Sequence, residues 1–183
     1  ENWIDFDDIR KWIEDNAGKY LKADTNSVGY LDGLQKLLLV MLYHFIPPRR
    51  LDYSDMIITT EEKYNKMDKR NVNAFVITQQ KDEFPPIIRY IIEKIIMEIP
   101  EDENGNYMML QNSNGDKLSK PSMTKLIKKI YKKEFGKDAV GSSLLRKIYL
   151  SNMKEIDMEK RKRVAEIMNH RVMTGLIIYT KKD

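Results

Sequence analysis

The chain has no cysteine among its 183 residues. Disulfides, thiol nucleophiles and cysteine-built zinc sites are therefore excluded, and folding needs no oxidising compartment. Histidine is almost as scarce: only His44 and His170 occur, which makes a protein metal cage a poor expectation. No apolar run reaches the roughly 18 residues of a membrane-spanning helix, and the first residues carry no charged-then-apolar leader pattern. The expectation is a soluble, intracellular protein with no membrane partner. No glycine-rich phosphate loop appears among the eight glycines, which agrees with the expectation of chemistry that uses no ATP or other small-molecule cofactor.

What the chain does have is charge and helical periodicity. Lys and Arg number 32 against 28 acids, a net charge of +4 that permits a polyanionic partner without requiring one. The length suits one compact domain spanning 1–183. Asp5 to Ala23 place Ile9, Trp12, Ile13 and Leu21 among charges, predicting one or two short amphipathic helical turns. After a polar break at Asp24 to Gly29, the residues Leu34, Leu37, Leu38, Met41, Leu42 and Phe45 fall at helical spacing. Pro47 and Pro48 must end that helix, since the ring and the missing N–H both oppose continuation. His44, near its end, reads as a structural or capping histidine.

Two short β-type runs follow, Met56 to Thr60 and Ala74 to Thr78, and are expected to pair antiparallel. Pro85 and Pro86 open an apolar helix over Ile87 to Ile99. Beyond a polar linker, Tyr107 to Leu110 reads as a short strand and Asn112 to Lys117, with Gly115, as a turn. Pro121 opens a further helix with Met123, Leu126, Ile127 and Ile130 on one face. Lys125, Lys128, Lys129 and Lys132 share the opposite face, either as a solvated surface or as a patch that tracks phosphates. Helices are also expected over Ser142 to Met153, over Met158 to Met168 and from about Thr174 through Tyr179. The fold class that results is α+β, mainly α, with a small antiparallel sheet inserted after the second major helix.

The informative residues lie in the last third. Arg146 ends Gly141-Ser-Ser-Leu-Leu-Arg146, His170 ends Ile167-Met-Asn-His170, and Tyr179 ends Gly175-Leu-Ile-Ile-Tyr179. From 146 to 170 is 24 residues and from 170 to 179 is nine. Upstream stand Pro47-Pro48-Arg49-Arg50-Leu51-Asp52-Tyr53 and, just after the second strand run, Gln79-Gln80-Lys81. In order and spacing this set resembles the catalytic domain of the tyrosine recombinases, or phage integrases. The Pro-Pro-x-Arg form is most similar to that in integrases of large DNA viruses and related mobile elements. The resemblance runs from residue 49 to residue 179.

That resemblance implies a function: site-specific DNA recombination or integration, by cleavage and rejoining through a 3′-phosphotyrosine intermediate. Tyr179 would be the nucleophile, Arg50, Arg146 and His170 the phosphate clamp, and Lys81 the proton donor to the departing sugar oxygen. Arg50 fits the Pro-Pro-x-Arg register, whereas Arg49 is the alternative that places Asp52 three residues on, where relatives carry an acid. Ser143 stands where the family's box has histidine, replacing a phosphate-contacting group with a neutral hydroxyl. Further implications are double-stranded DNA as partner, a tetramer on DNA for the full-length protein, and a separate N-terminal clamping domain outside this chain. No metal is implied, and the location is wherever the target DNA is: host cytoplasm, nucleus or viral factory.

The residue types suit the chemistry. Attack on a phosphodiester concentrates negative charge on the non-bridging oxygens, which preorganised cations stabilise strongly inside a protein. Arginine stays charged and can donate two parallel hydrogen bonds to a phosphate. A phenol of ordinary pKa near 10 must lose its proton as it attacks, and nearby cations favour the phenolate. The covalent intermediate keeps the bond energy, so rejoining needs no ATP. Two other functions remain open: relaxation of DNA in the manner of a type IB topoisomerase, and DNA binding without chemistry, to which Ser143 points. A helical scaffold that binds only protein is a third.

Overall fold

The computed structural model describes residues 2–77 and 85–153. Six helices appear among them: α1 (Phe6–Leu21), α2 (Tyr30–Phe45), the short α3 (Glu61–Asn65), α4 (Pro86–Glu98), α5 (Lys120–Phe135) and α6 (Ser142–Asn152). The strands are β1 (Ile57–Thr60), β2 (Ala74–Ile77) and β3 (Tyr107–Met108), and a 3-10 turn, Asp52–Asp55, precedes β1. The mainly helical α+β class expected from periodicity is what the chain adopts. The helices expected over Met158 to Met168 and from Thr174 lie outside the described residues.

α2 is the axis of the core. From Leu37 through His44 every residue is buried, and α1, α4 and α6 pack around it. A helix apolar on all sides has to be covered on all sides, and these neighbours cover it. α1 contributes Ile9, Ile13 and Ala17, while α4 contributes Ile88, Ile91, Ile92 and Ile95. Rather than one or two short turns, α1 is a single helix of 16 residues. Its apolar stripe continues through Asn16-Ala17-Gly18, and packing on α2 outweighs the weak helix propensity there. Gly33 of α2 admits the Tyr20 ring of α1, which a Cβ at that position would strike. α5 starts at Ser119, whose hydroxyl accepts the Ser122 N–H, and stops at Gly136 in left-handed conformation, φ 66°.

The sheet departs from expectation. Its order is β2-β1-β3, with β1 antiparallel to β3 but parallel to β2, pairing Ile57 with Ala74 through Thr60 with Ile77. The sheet is therefore mixed, not antiparallel. The stretch between β1 and β2 holds α3 and enough chain to return to the start of β1, so it makes a crossover instead of a hairpin. Ile58 and Phe75 from the two strands enter the core beside Met109 and Leu110, which follow β3.

His44 is structural, as expected, but it caps nothing. Its ring is 2% exposed, stacks on Phe6 with centroids 3.8 Å apart and meets Phe45 edge-on. Neither ring nitrogen has a hydrogen-bond partner among the described residues. Burial, reinforced by the Arg10 charge and opposed by Asp7, lowers its pKa from 6.5 to about 4. The neutral ring is thus the native form, and between these two values the unfolded chain binds the extra proton. Stability from this group is complete above about pH 6.5 and is lost as the pH falls towards 4. Urea unfolding should show the wild type losing about 2 kcal/mol more than His44→Leu between pH 7 and pH 5. Equal losses in the two proteins would refute the assignment.

Candidate active site

The diproline that ends α2 turns the chain into the Arg49–Arg50 segment, and two buried tyrosines fasten its backbone. The Tyr43 hydroxyl, one turn from the end of α2, donates to the Arg50 carbonyl oxygen. The Tyr53 hydroxyl accepts the Arg49 N–H at 3.1 Å and lies 3.5 Å from the Leu42 carbonyl, to which it donates. The two rings meet edge-on, centroids 5.3 Å apart.

The two arginines are treated differently by their surroundings. Arg49 is half-buried: its Nε donates to Asp52 Oδ2 at 3.3 Å and its Nη2 to Asn73 Oδ1 at 3.1 Å. Asn73 in turn donates to Asp55 Oδ1 at 2.8 Å. Arg50 sits exposed at the turn. An arginine held at two points presents its remaining donors in a fixed direction, whereas an exposed one must be ordered at each binding event.

Arg146 is 0% exposed, on α6, which packs against both α2 and α1. Its charge acts on the Tyr43 hydroxyl. The Arg50 carbonyl and the Arg146 charge, from parts of the chain far apart in sequence, thus both act on Tyr43. Burial, then the neighbouring Tyr53 and Tyr131, push the Tyr43 phenol far above its ordinary pKa, and the Arg146 guanidinium only partly offsets them. Burial likewise raises Tyr53. With their hydroxyls committed and their phenolates disfavoured, these two tyrosines hold the backbone and are unsuited to attack a phosphate.

Ser143 is exposed on the first turn of α6, three residues before Arg146. On α5 the side chains of Lys125, Lys128, Lys129 and Lys132 are all exposed, and Lys132 pairs with Asp138 at 2.6 Å. α5 packs against the 3-10 turn that follows Arg50, and Lys117, just before α5, lies 4.0 Å from Asp55. Lys81, His170 and Tyr179 lie outside the described residues. Because β1 and β2 run parallel, the segment leading to Lys81 does not leave a β1–β2 hairpin.

Open depressions of about 470 and 720 Å³ occur elsewhere, and neither is lined by Arg49, Arg50 or Arg146. Among the described residues no cluster of three or more His, Cys, Asp or Glu could hold a metal ion, and no helix is long and apolar enough to cross a membrane.

Sequence reasoning passed over Tyr43, Asn73 and Asp55. A weak signal existed for Tyr43, a polar tip within the most apolar helix. None existed for Asn73, whose link to Arg49 spans 24 residues of chain. Comparison with family models, with curated proteins and with solved structures found no match to this chain.

Proposed function

We propose that this chain is the catalytic domain of a tyrosine-type site-specific DNA recombinase. The observation that carries the proposal is the ordered set of two arginines, a lysine, a histidine and a terminal tyrosine at the family's spacing. It is supported by Tyr43, which donates to the Arg50 carbonyl and feels the charge of Arg146. In this proposal the Tyr179 oxygen forms a bond to phosphorus while the bond to the 5′-oxygen breaks, and Lys81 protonates that oxygen. The first guanidinium of the clamp is Arg49, because Asp52 and Asn73 hold it, in place of the exposed Arg50 that the motif register favours. Arg146, covered in the free chain, becomes available when DNA binding shifts its cover. His170 completes the clamp, double-stranded DNA is the partner, and a tetramer forms on DNA in the full-length protein.

The direct test is a nicked suicide duplex that loses its short leaving strand. An active enzyme becomes covalently attached to the DNA, and the absence of any adduct on a sequence-randomised duplex counts against the proposal. Plasmid relaxation without exchange between two sites would move the assignment to topoisomerase chemistry. A second reading, a DNA-binding module without chemistry, is favoured by the exposed Ser143 at the box position. It predicts DNA binding with no adduct.

On either reading the α5 lysines track the phosphate backbone. Lys125→Ala, Lys128→Ala and Lys129→Ala together are expected to flatten the plot of log affinity against log salt by about 0.9 for each phosphate no longer neutralised. Fluorescence anisotropy over a salt series measures this, and an unchanged slope would leave these residues as ordinary solvated surface. Lys132, engaged by Asp138, is expected to contribute least.

A further inference from the structure

We propose that Asn73 is a positioning residue for the Arg49 guanidinium, an amide that holds the arginine in place without neutralising it. The inference rests on the recombinase proposal for its effect on strand cleavage but not for its effect on Arg49 itself.

The geometry is a relay. Arg49 Nη2 donates to Asn73 Oδ1 at 3.1 Å, and Asn73 Nδ2 donates to Asp55 Oδ1 at 2.8 Å. An ionised carboxylate can only accept, so Asp55 settles which way the amide faces and turns its oxygen towards Arg49. The reversed amide would set N–H groups against the guanidinium and oxygen against the carboxylate. The Asn73 backbone is fixed as well, because its carbonyl accepts the Ile57 N–H at 3.0 Å where β1 begins. Parallel pairing is what makes this reach possible. It puts the residue before β2 beside the start of β1 and hence beside the turn that follows Arg49, whereas a hairpin would have placed Asn73 at the far end of β1.

The charge balance fits an anion site. A guanidinium has five N–H donors. Asp52 and Asn73 engage Nε and Nη2, and Nη1 has no partner among the described residues, leaving donors for a two-point grip on a phosphate. One carboxylate touches Arg49 directly and the second acts through a neutral amide, so the cation is ordered yet keeps attraction for an anion. A second carboxylate in place of the amide would cancel it.

The test uses the whole chain and Asn73→Ala. In nitrogen–proton spectra the Arg49 Nε–H signal, assigned by its loss in Arg49→Lys, should be resolved and slow to exchange in the wild type. In Asn73→Ala its exchange should rise at least about tenfold, since one of its two anchors is gone. On the randomised suicide duplex, adduct formation should slow by roughly 10- to 100-fold. The DNA concentration for half-saturation should move by less than about threefold. Asn73→Ala added to Arg49→Ala should slow the reaction no further than Arg49→Ala alone. If Asn73→Ala does not fold by circular dichroism, Asp55→Ala, which frees the amide to reverse, takes its place with the same readouts in smaller measure.

An Arg49 signal untouched by these substitutions, or a slowing additive with Arg49→Ala, overturns the inference. If the wild type forms no adduct, the cleavage proposal fails by itself. The role of Asn73 then stands or falls on the Arg49 signal.

Discussion

Tyr179→Phe is expected to abolish the covalent protein–DNA adduct while leaving DNA affinity within about twofold of wild type. The substitution removes the one oxygen that, on the proposed function, joins the protein to phosphorus, and keeps the aromatic ring. Without it the residual reaction on this proposal is attack by water, which the proposed arginine clamp would accelerate but which gives no protein-linked product. Denaturing gels of the suicide-substrate reaction read the result directly. The competing tyrosines near the arginines are poorly placed to substitute: Tyr43 donates to the Arg50 carbonyl, Tyr53 is engaged by the Arg49 N–H, and burial raises the pKa of both. An adduct that persists in Tyr179→Phe would force the nucleophile elsewhere in the chain and dissolve the proposed active site.

Arg146 is expected to carry the second large effect, on two quantities at once. Its side chain is fully buried, so Arg146→Ala removes core volume as well as charge. Truncating a large buried side chain costs about 2 to 5 kcal/mol, which for a chain of this size lowers the melting temperature by on the order of 10 °C. Arg50→Ala, at an exposed turn, should stay within about 0.5 kcal/mol of wild type. Cleavage separates the charge from the shape: Arg146→Lys keeps the charge but loses the planar fork, and should slow adduct formation by about 100- to 1,000-fold. Thermal melts beside single-turnover trapping measure both. An Arg146→Ala protein as stable as wild type and cleaving at the same rate would remove Arg146 from core and active site alike.

The combination of burial and charge at Arg146 also bears on how the domain would work. The Arg146 guanidinium is fully covered, and its charge acts on the tyrosine that donates to the Arg50 carbonyl. On the proposed function, DNA binding that shifts the cover of Arg146 would be felt at Tyr43 as well.

The amino-acid sequence alone placed α2, α4, α5 and α6, whereas α1 was legible only as one or two short turns and α3 not at all. Leu34 through Phe45 repeat at helical spacing and end at a diproline, and Pro121 opens the apolar spacing of α5, because helix hydrogen bonds join residues four apart and the pattern is written locally. The order of the candidate catalytic residues was legible for the same reason, as a matter of type and spacing. Three things were decided only by the tertiary structure: the parallel direction of β1 and β2, the complete burial of Arg146, and the choice of Arg49 as the arginine that is held. Each depends on partners far apart in the chain, and no local periodicity records which of two strand directions, or which asparagine 24 residues away, will satisfy them.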